Sequence, residues 1–124
     1  MQTILLVDDD NVNHIFARRI LRDQYDLVSA YSGEEALSLM RGEPFDLVLM
    51  DIVMPGKNGL EVYREMRADA ELKDTPLIFI TAKEDDALEA ECRAEGATEY
   101  VRKPFSPEDL VQKVSDALSA NGTA

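Results

Sequence analysis

Short runs of consecutive apolar residues alternate with longer segments in which apolar residues recur every three or four positions. Five runs predict strands: TILLV (Thr3–Val7), LVSA (Leu27–Ala30), DLVLM (Asp46–Met50), PLIFI (Pro76–Ile80) and EYVR (Glu99–Arg102). The first, third and fourth are almost continuously apolar, the pattern of parallel strands covered on both faces. The intervening segments carry stripes at helical spacing: Val12, Ile15, Phe16 and Ile20; then Val62, Tyr63, Met66 and Ala70; then Leu110, Val114, Ala117 and Leu118. Ser32-Gly33-Glu34-Glu35 matches a capping box, and Ser106-Pro107 places a capping residue before a proline suited to the first helical position. Gly42 and Gly96 stand where helices should stop. The segment Glu84–Ala94 offers mainly Leu88, Cys92 and alanines for burial, so it reads as the least firmly packed helix.

Five strand-helix repeats without a gap long enough for a linker imply one doubly wound α/β domain over residues 1–119. The last residues, 120–124, read as a frayed tail. Ligands of such sheets sit beyond the carboxyl ends of the strands, near the point where strand order reverses.

Composition narrows the functions on offer. With 13 basic and 25 acidic residues the net charge is −12, which repels nucleic acid phosphates and anionic membranes. Cys92 is the only cysteine in the sequence, so there is no disulfide framework and no cysteine-based metal site, and it reads as a small packed hydrophobe. The first residues lack the basic start of a signal peptide, and no apolar run is long enough to span a bilayer, so the expectation is a cytoplasmic protein.

The strand ends carry the chemistry. Asp8-Asp9-Asp10 follows the first strand, Asp51 the third, Thr81 the fourth, and Lys103-Pro104 the fifth. Neighbouring strands lie roughly 4.8 Å apart, so carboxylates ending adjacent strands meet and repel. A hard divalent cation resolves that repulsion, and an all-oxygen donor set without nearby His or Cys favours Mg²⁺. A carboxylate beside Mg²⁺ can attack phosphorus to give an aspartyl phosphate, with an ammonium neutralising the phosphoryl oxygens and a hydroxyl hydrogen-bonding them. Asp51, Lys103 and Thr81 supply one of each.

In order and spacing, ILLVDDD (4–10), LVLMDIVMPGKNG (47–59), IFITA (78–82) and YVRKPF (100–105) resemble a receiver domain of the two-component response regulators, chemotaxis-regulator-like, over essentially the whole chain. The resemblance implies a flavodoxin-like (βα)5 fold with strand order 2-1-3-4-5. It implies Asp51 as phosphoacceptor, Asp9 as a direct Mg²⁺ ligand, Asp8 as a ligand through water, and the Val53 backbone carbonyl as a further ligand. It also implies that Lys103 pairs with the phosphoryl group, that Thr81 bonds it on activation, and that Tyr100 is an aromatic switch turning inward as Thr81 moves. A cis Lys103–Pro104 bond is expected on the same ground. Its implied partners are a sensor histidine kinase or histidine phosphotransfer protein and a downstream effector protein or domain, with room for a homodimer on activation. The fourth helix, fifth strand and fifth helix would form the output face. The only catalysis implied is Mg²⁺-dependent self-phosphorylation and autodephosphorylation. Val53 and Lys83 occupy positions that modulate water access in that family; an apolar Val53 predicts slow to moderate dephosphorylation, and Ala82 is small where a phosphodonor must approach.

Plainer readings stand beside these. Asp10, or Asn11, reads as the N-cap of the first helix, and Thr81-Ala82-Lys83-Glu84 also matches a capping box. Tyr100 alone would be a half-buried strand aromatic. His14 reads as a surface position on the first helix, not a phosphotransfer histidine. Asp46 reads as a strand start and Asn58-Gly59 as a turn into a helix. Two other function classes remain. A freestanding phosphatase would want an acid at position 53, where Val53 stands, and a flavin module would want phosphate-binding Gly, Ser or Thr where Asp8-Asp9-Asp10 stands.

Overall fold

The computed structural model describes residues 1–82, 86–97 and 99–122. Strands and helices alternate along it: β1 (Thr3–Val7), α1 (Asn11–Leu21), β2 (Asp26–Ala30), α2 (Gly33–Gly42), β3 (Leu47–Asp51), α3 (Gly59–Ala68), β4 (Leu77–Thr81), α4 (Asp86–Ala94), β5 (Tyr100–Arg102) and α5 (Pro107–Gly122). The strands pair in parallel in the order β2-β1-β3-β4-β5, so the order reverses between β1 and β3. This is the flavodoxin-like (βα)5 arrangement that the repeats and the resemblance called for.

Strand alternation divides the core in two. Leu5, Val7, Val48, Met50 and Phe79 face α2, α3 and α4, meeting Leu37, Val62, Tyr63, Met66 and Cys92. Ile4, Leu6, Leu47, Leu49, Ile78, Ile80 and Val101 face α1 and α5, meeting Ala17, Leu21, Leu110, Val114 and Leu118. Both faces of β1, β3 and β4 are thus covered, which is why those runs lack polar alternation.

Two strands end one residue later than their apolar runs. Asp51 and Thr81 are the last residues of β3 and β4, not the first beyond them. Asp46 precedes β3, where Oδ2 accepts from the Thr3 amide at 2.8 Å. Ala70 lies in the turn after α3, exposed, and Leu72 is buried instead.

The stripe expected to bury α1 is turned outward. Val12, Ile15 and Phe16 are all close to half exposed, while His14, Ala17 and Leu21 are buried. Residues 12 and 16 lie roughly 200° around the helix from residue 14, on the opposite side. Polar contacts select the buried face: His14 Nε2 donates to the Asp8 carbonyl at 2.8 Å, and Arg18 donates to Ser29 Oγ at 2.6 Å on β2. His14 is therefore not the surface residue its sequence position suggested.

Helix starts follow the capping signals with one change. The Ser32 side chain accepts from the Glu35 amide, but Glu35 reaches back to the Tyr31 amide at 2.6 Å. A reciprocal capping box occurs instead at Asn58 and Glu61, opening α3. Asp10 caps α1, accepting from the Val12 amide, and the Ser106 hydroxyl accepts from the Asp109 amide as α5 begins. Gly96, at φ +103°, ends α4 in a conformation costly for other residues. Lys83, Glu84 (hence the second half of the Thr81 capping-box reading and the first residues of the 84–94 segment) and residues 123 and 124 lie outside the described residues. No helix among the described residues is long and apolar enough to cross a membrane.

Candidate functional site

Register brings the acidic residues level. Val7 pairs with both Ala30 and Met50, so Asp8 leaves β1 beside the end of β3, where Asp51 is opposite Ile80. Lys103 follows β5 directly, and its amide donates to the Thr81 carbonyl at 2.7 Å. The Lys103–Pro104 bond is cis.

Asp8 and Asp51 are both 3% exposed, and Asp9 beside them is exposed. Carboxylate oxygens of Asp8, Asp9 and Asp51 lie within 4.8 Å of one another. Lys103 Nζ stands 3.2 Å from Asp51 Oδ1 and 3.3 Å from Asp8 Oδ2. Three acids against one ammonium leave the cluster net negative, and all its donors are oxygen, so it suits a hard divalent cation.

The electrostatics follow from that crowding. Burial, then the negative charge of Asp8, push the Asp51 carboxyl up to about 7, and Asp9 adds to this; Lys103 opposes it by charge and hydrogen bond. Burial alone would lower the Lys103 ammonium, but Asp51 and Asp8 outweigh it and hold Lys103 above its usual range. A cation would relieve the same repulsion that raises Asp51.

Thr81 is buried at the end of β4, and its Oγ1 has no hydrogen-bond partner among the described residues. Tyr100 lies on β5 opposite Phe79, buried with its hydroxyl donating to the Ala97 carbonyl at 3.0 Å. Its ring stacks on Phe79 with centroids 5.8 Å apart, and the Arg93 guanidinium of α4 sits 4.0 Å from its centroid. Burial pushes the Tyr100 phenol up to about 12. Arg102, also on β5, reaches Asp86 and Glu89 of α4 at 3.6 and 3.9 Å, tying the two elements together. Cys92 is fully buried under α4, and burial raises its thiol to about 11, so it is inert packing.

Val53 follows Asp51 by two residues with its side chain half exposed. Asp10 stays out of the acidic group, as its capping role requires. Sequence reasoning passed over Asn13, whose Nδ2 donates to Asp8 Oδ2 at 3.0 Å, and placed on the surface His14, which is buried against the Asp8 carbonyl. The signal for Asn13 was a polar side chain in the first turn of α1, a helix that starts beside the strand end. Also missed was the closeness of Gly59 to β3: its amide donates to the Ile52 carbonyl at 2.7 Å, and a Cβ there would lie 2.6 Å from the Asp51 carbonyl oxygen.

Residues 4–115 match the model of the response regulator receiver domain. The chain is 36% identical over 116 residues to the transcriptional regulatory protein ResD of Bacillus subtilis (strain 168), covering 93% of this chain and 47% of that protein. It therefore spans about half the length of that curated relative. Among solved structures, the chemotaxis response regulator CheY4 of Vibrio cholerae superposes with a TM-score of 0.86 at 31% identity, covering 95% of this chain and 99% of that one. A response regulator receiver domain protein from Clostridium thermocellum gives 0.88 at 26% identity, covering 98% of both chains.

Proposed function

This chain belongs to the response regulator receiver domain family, and from that premise we propose that it is a phosphorylation-controlled switch that takes its phosphoryl group on Asp51. The observation that carries this reading is the placement of Asp51 at the end of β3, buried, among Asp8, Asp9 and Lys103. A sensor histidine kinase or histidine phosphotransfer protein is the donor. An Asp51 carboxylate oxygen attacks the donor's phosphorus, forming a P–O bond as the P–N bond breaks and the imidazole leaves with its electron pair.

Asp8, Asp9, Asp51 and the Val53 carbonyl would hold Mg²⁺, which when bound supplies positive charge to the phosphoryl oxygens. Lys103 supplies a second cation there, already held by both buried carboxylates, so little reorganisation accompanies the reaction. In autodephosphorylation water attacks the phosphorus, the P–O bond to Asp51 breaks, and inorganic phosphate leaves with the carboxylate restored; Val53 offers no polar group to align that water.

The signal leaves through Thr81 and Tyr100. Among the described residues Thr81 Oγ1 has no hydrogen-bond partner, and hydrogen bonding to a phosphoryl oxygen would shift a two-state equilibrium in the α4, β5 and α5 face. A downstream effector protein or domain reads that face. The chain acts inside the cytoplasm, where such kinases place their donor histidine.

The test is exposure of the protein to acetyl phosphate with and without Mg²⁺, read by intact mass. A single added phosphoryl group, Mg²⁺-dependent, acid-stable, base-labile and absent from Asp51→Asn, is the expected result. A folded protein that stays unmodified in Mg²⁺ would overturn the reading.

A further inference from the structure

Asp8 is held from α1 by donors that phosphoryl transfer itself does not use. Oδ1 accepts from the Asp10 amide at 2.9 Å, Oδ2 accepts from Asn13 Nδ2 at 3.0 Å, and the main-chain carbonyl accepts from His14 Nε2 at 2.8 Å. Lys103 Nζ approaches the same Oδ2 at 3.3 Å. A carboxylate with donors on both oxygens cannot rotate toward a new partner without leaving a buried group unpaired.

We propose that Asn13 is a positioning residue for cation binding: its amide fixes the plane of the Asp8 carboxylate so that Asp8 faces Lys103, Asp51 and the ion in one orientation. This inference rests on the Mg²⁺ reading of the acidic cluster. Three observations support it beyond the single hydrogen bond. Asn is a poor helix former compared with Ala, yet it occupies the first turn of α1 and directs its amide five residues back to the strand end. His14, the next residue, is buried and fixes the same Asp8 through its backbone, so two consecutive α1 side chains converge on one acid. The Asn13 donor is also neutral. A cation there would cancel part of the charge that attracts the ion, whereas an amide orients Asp8 and leaves that charge intact.

Such outer contacts set the orientation of the ligands they touch, and losing one typically weakens metal affinity about 10- to 100-fold. The experiment is calorimetric titration of Mg²⁺ into the intact chain and into Asn13→Ala and Asn13→Gln, with thermal melting in Mg²⁺-free buffer alongside. Asn13→Ala favours the helix, so it folds. Its Mg²⁺ affinity should fall about tenfold while its melt without Mg²⁺ stays cooperative, lowered only modestly by the lost hydrogen bond to the buried Asp8 carboxylate. Asn13→Gln keeps the amide and should recover to within about threefold of the parent. Equal weakness of the Ala and Gln variants, or an Ala variant within about twofold of the parent, would overturn the proposal while leaving the Mg²⁺ site standing. Failure of the parent chain to bind Mg²⁺ would overturn that site and this inference together.

Discussion

Lys103 reaches Asp51 across the end of the sheet, with Nζ 3.2 Å from Oδ1, and the same ammonium lies 3.3 Å from Asp8 Oδ2. One cation thus spans the acids that end two neighbouring strands. Lys103→Met keeps the apolar stem and removes the charge. Phosphorylation by acetyl phosphate should slow by about 100-fold or more, the range seen when a preorganised transition-state donor is lost. Rapid-quench mass measurements check this, with far-UV circular dichroism confirming the fold; a rate within a few-fold of the parent would remove Lys103 from the chemistry.

The raised Asp51 carboxyl has a definite sign in stability. Its folded pKa, about 7, exceeds the ordinary 3.8, so the folded state retains its proton more strongly than the unfolded chain. The stability contributed is fully present below about pH 4 and is lost as pH rises through about 7. Asp51→Asn, which resembles the protonated acid, should therefore melt higher than the parent at pH 8 in Mg²⁺-free buffer. That gap should close on acidification to pH 4, and added Mg²⁺ should narrow it at pH 8. A gap independent of pH between 4 and 8 would show that Asp51 is not destabilised by its surroundings.

Thr81 separates folding from signalling. Its Oγ1 is buried without a partner among the described residues, so Thr81→Val removes an unpaired polar atom at nearly constant shape. Stability should be unchanged or higher by roughly 1 kcal/mol in chemical denaturation. Asp51 should still take the phosphoryl group, while the change in amide hydrogen exchange that phosphorylation brings to α4 and β5 in the parent should disappear. A Val variant that responds like the parent would take Thr81 out of the switch.

Two glycines predict opposite outcomes. A Cβ on Gly59 would meet the Asp51 carbonyl oxygen at 2.6 Å and Ile52 Cα at 2.9 Å, both backbone atoms that yield only by moving β3. Gly59→Ala should cost about 1–3 kcal/mol and weaken Mg²⁺ binding as well. Gly42 has open space around it at the end of α2, and Gly42→Ala should stabilise by roughly 0.5–1 kcal/mol. Urea titration of both variants decides the pair.

The exposed face of α1 should matter to a protein donor and not to a small one. Val12, Ile15 and Phe16 are all close to half exposed on the helix that follows Asp8, and Phe16 also lines a groove with Pro104 and Phe105. Phe16→Ser should leave stability within about 0.5 kcal/mol. Acetyl phosphate should modify it as fast as the parent, while transfer from a phosphorylated histidine kinase should fall several-fold. Equal loss with both donors would point to damage at Asp51 instead.

Much of this protein was determined locally. Continuous apolar runs such as Leu47–Met50 name the covered strands, and stacking five of them with amphipathic helices leaves one economical architecture. That Asp8, Asp9, Asp51, Thr81 and Lys103 share one edge of the sheet was legible because each ends a strand or follows one within two residues, and parallel strands place all such residues on one edge. Helix faces were not legible in the same way. Spacing along α1 shows that Val12 and Phe16 share a face, but not that it is the face turned away from the sheet. That was decided by His14 and Arg18, whose hydrogen bonds reach the Asp8 carbonyl and β2, residues made neighbours only by the fold. The same holds for Asn13 on Asp8, for Gly59 against the Asp51 carbonyl, and for the raised carboxyl of Asp51. Periodicity is a property of one segment; burial, pairing and charge repulsion belong to segments brought together, so only the tertiary structure could assign them.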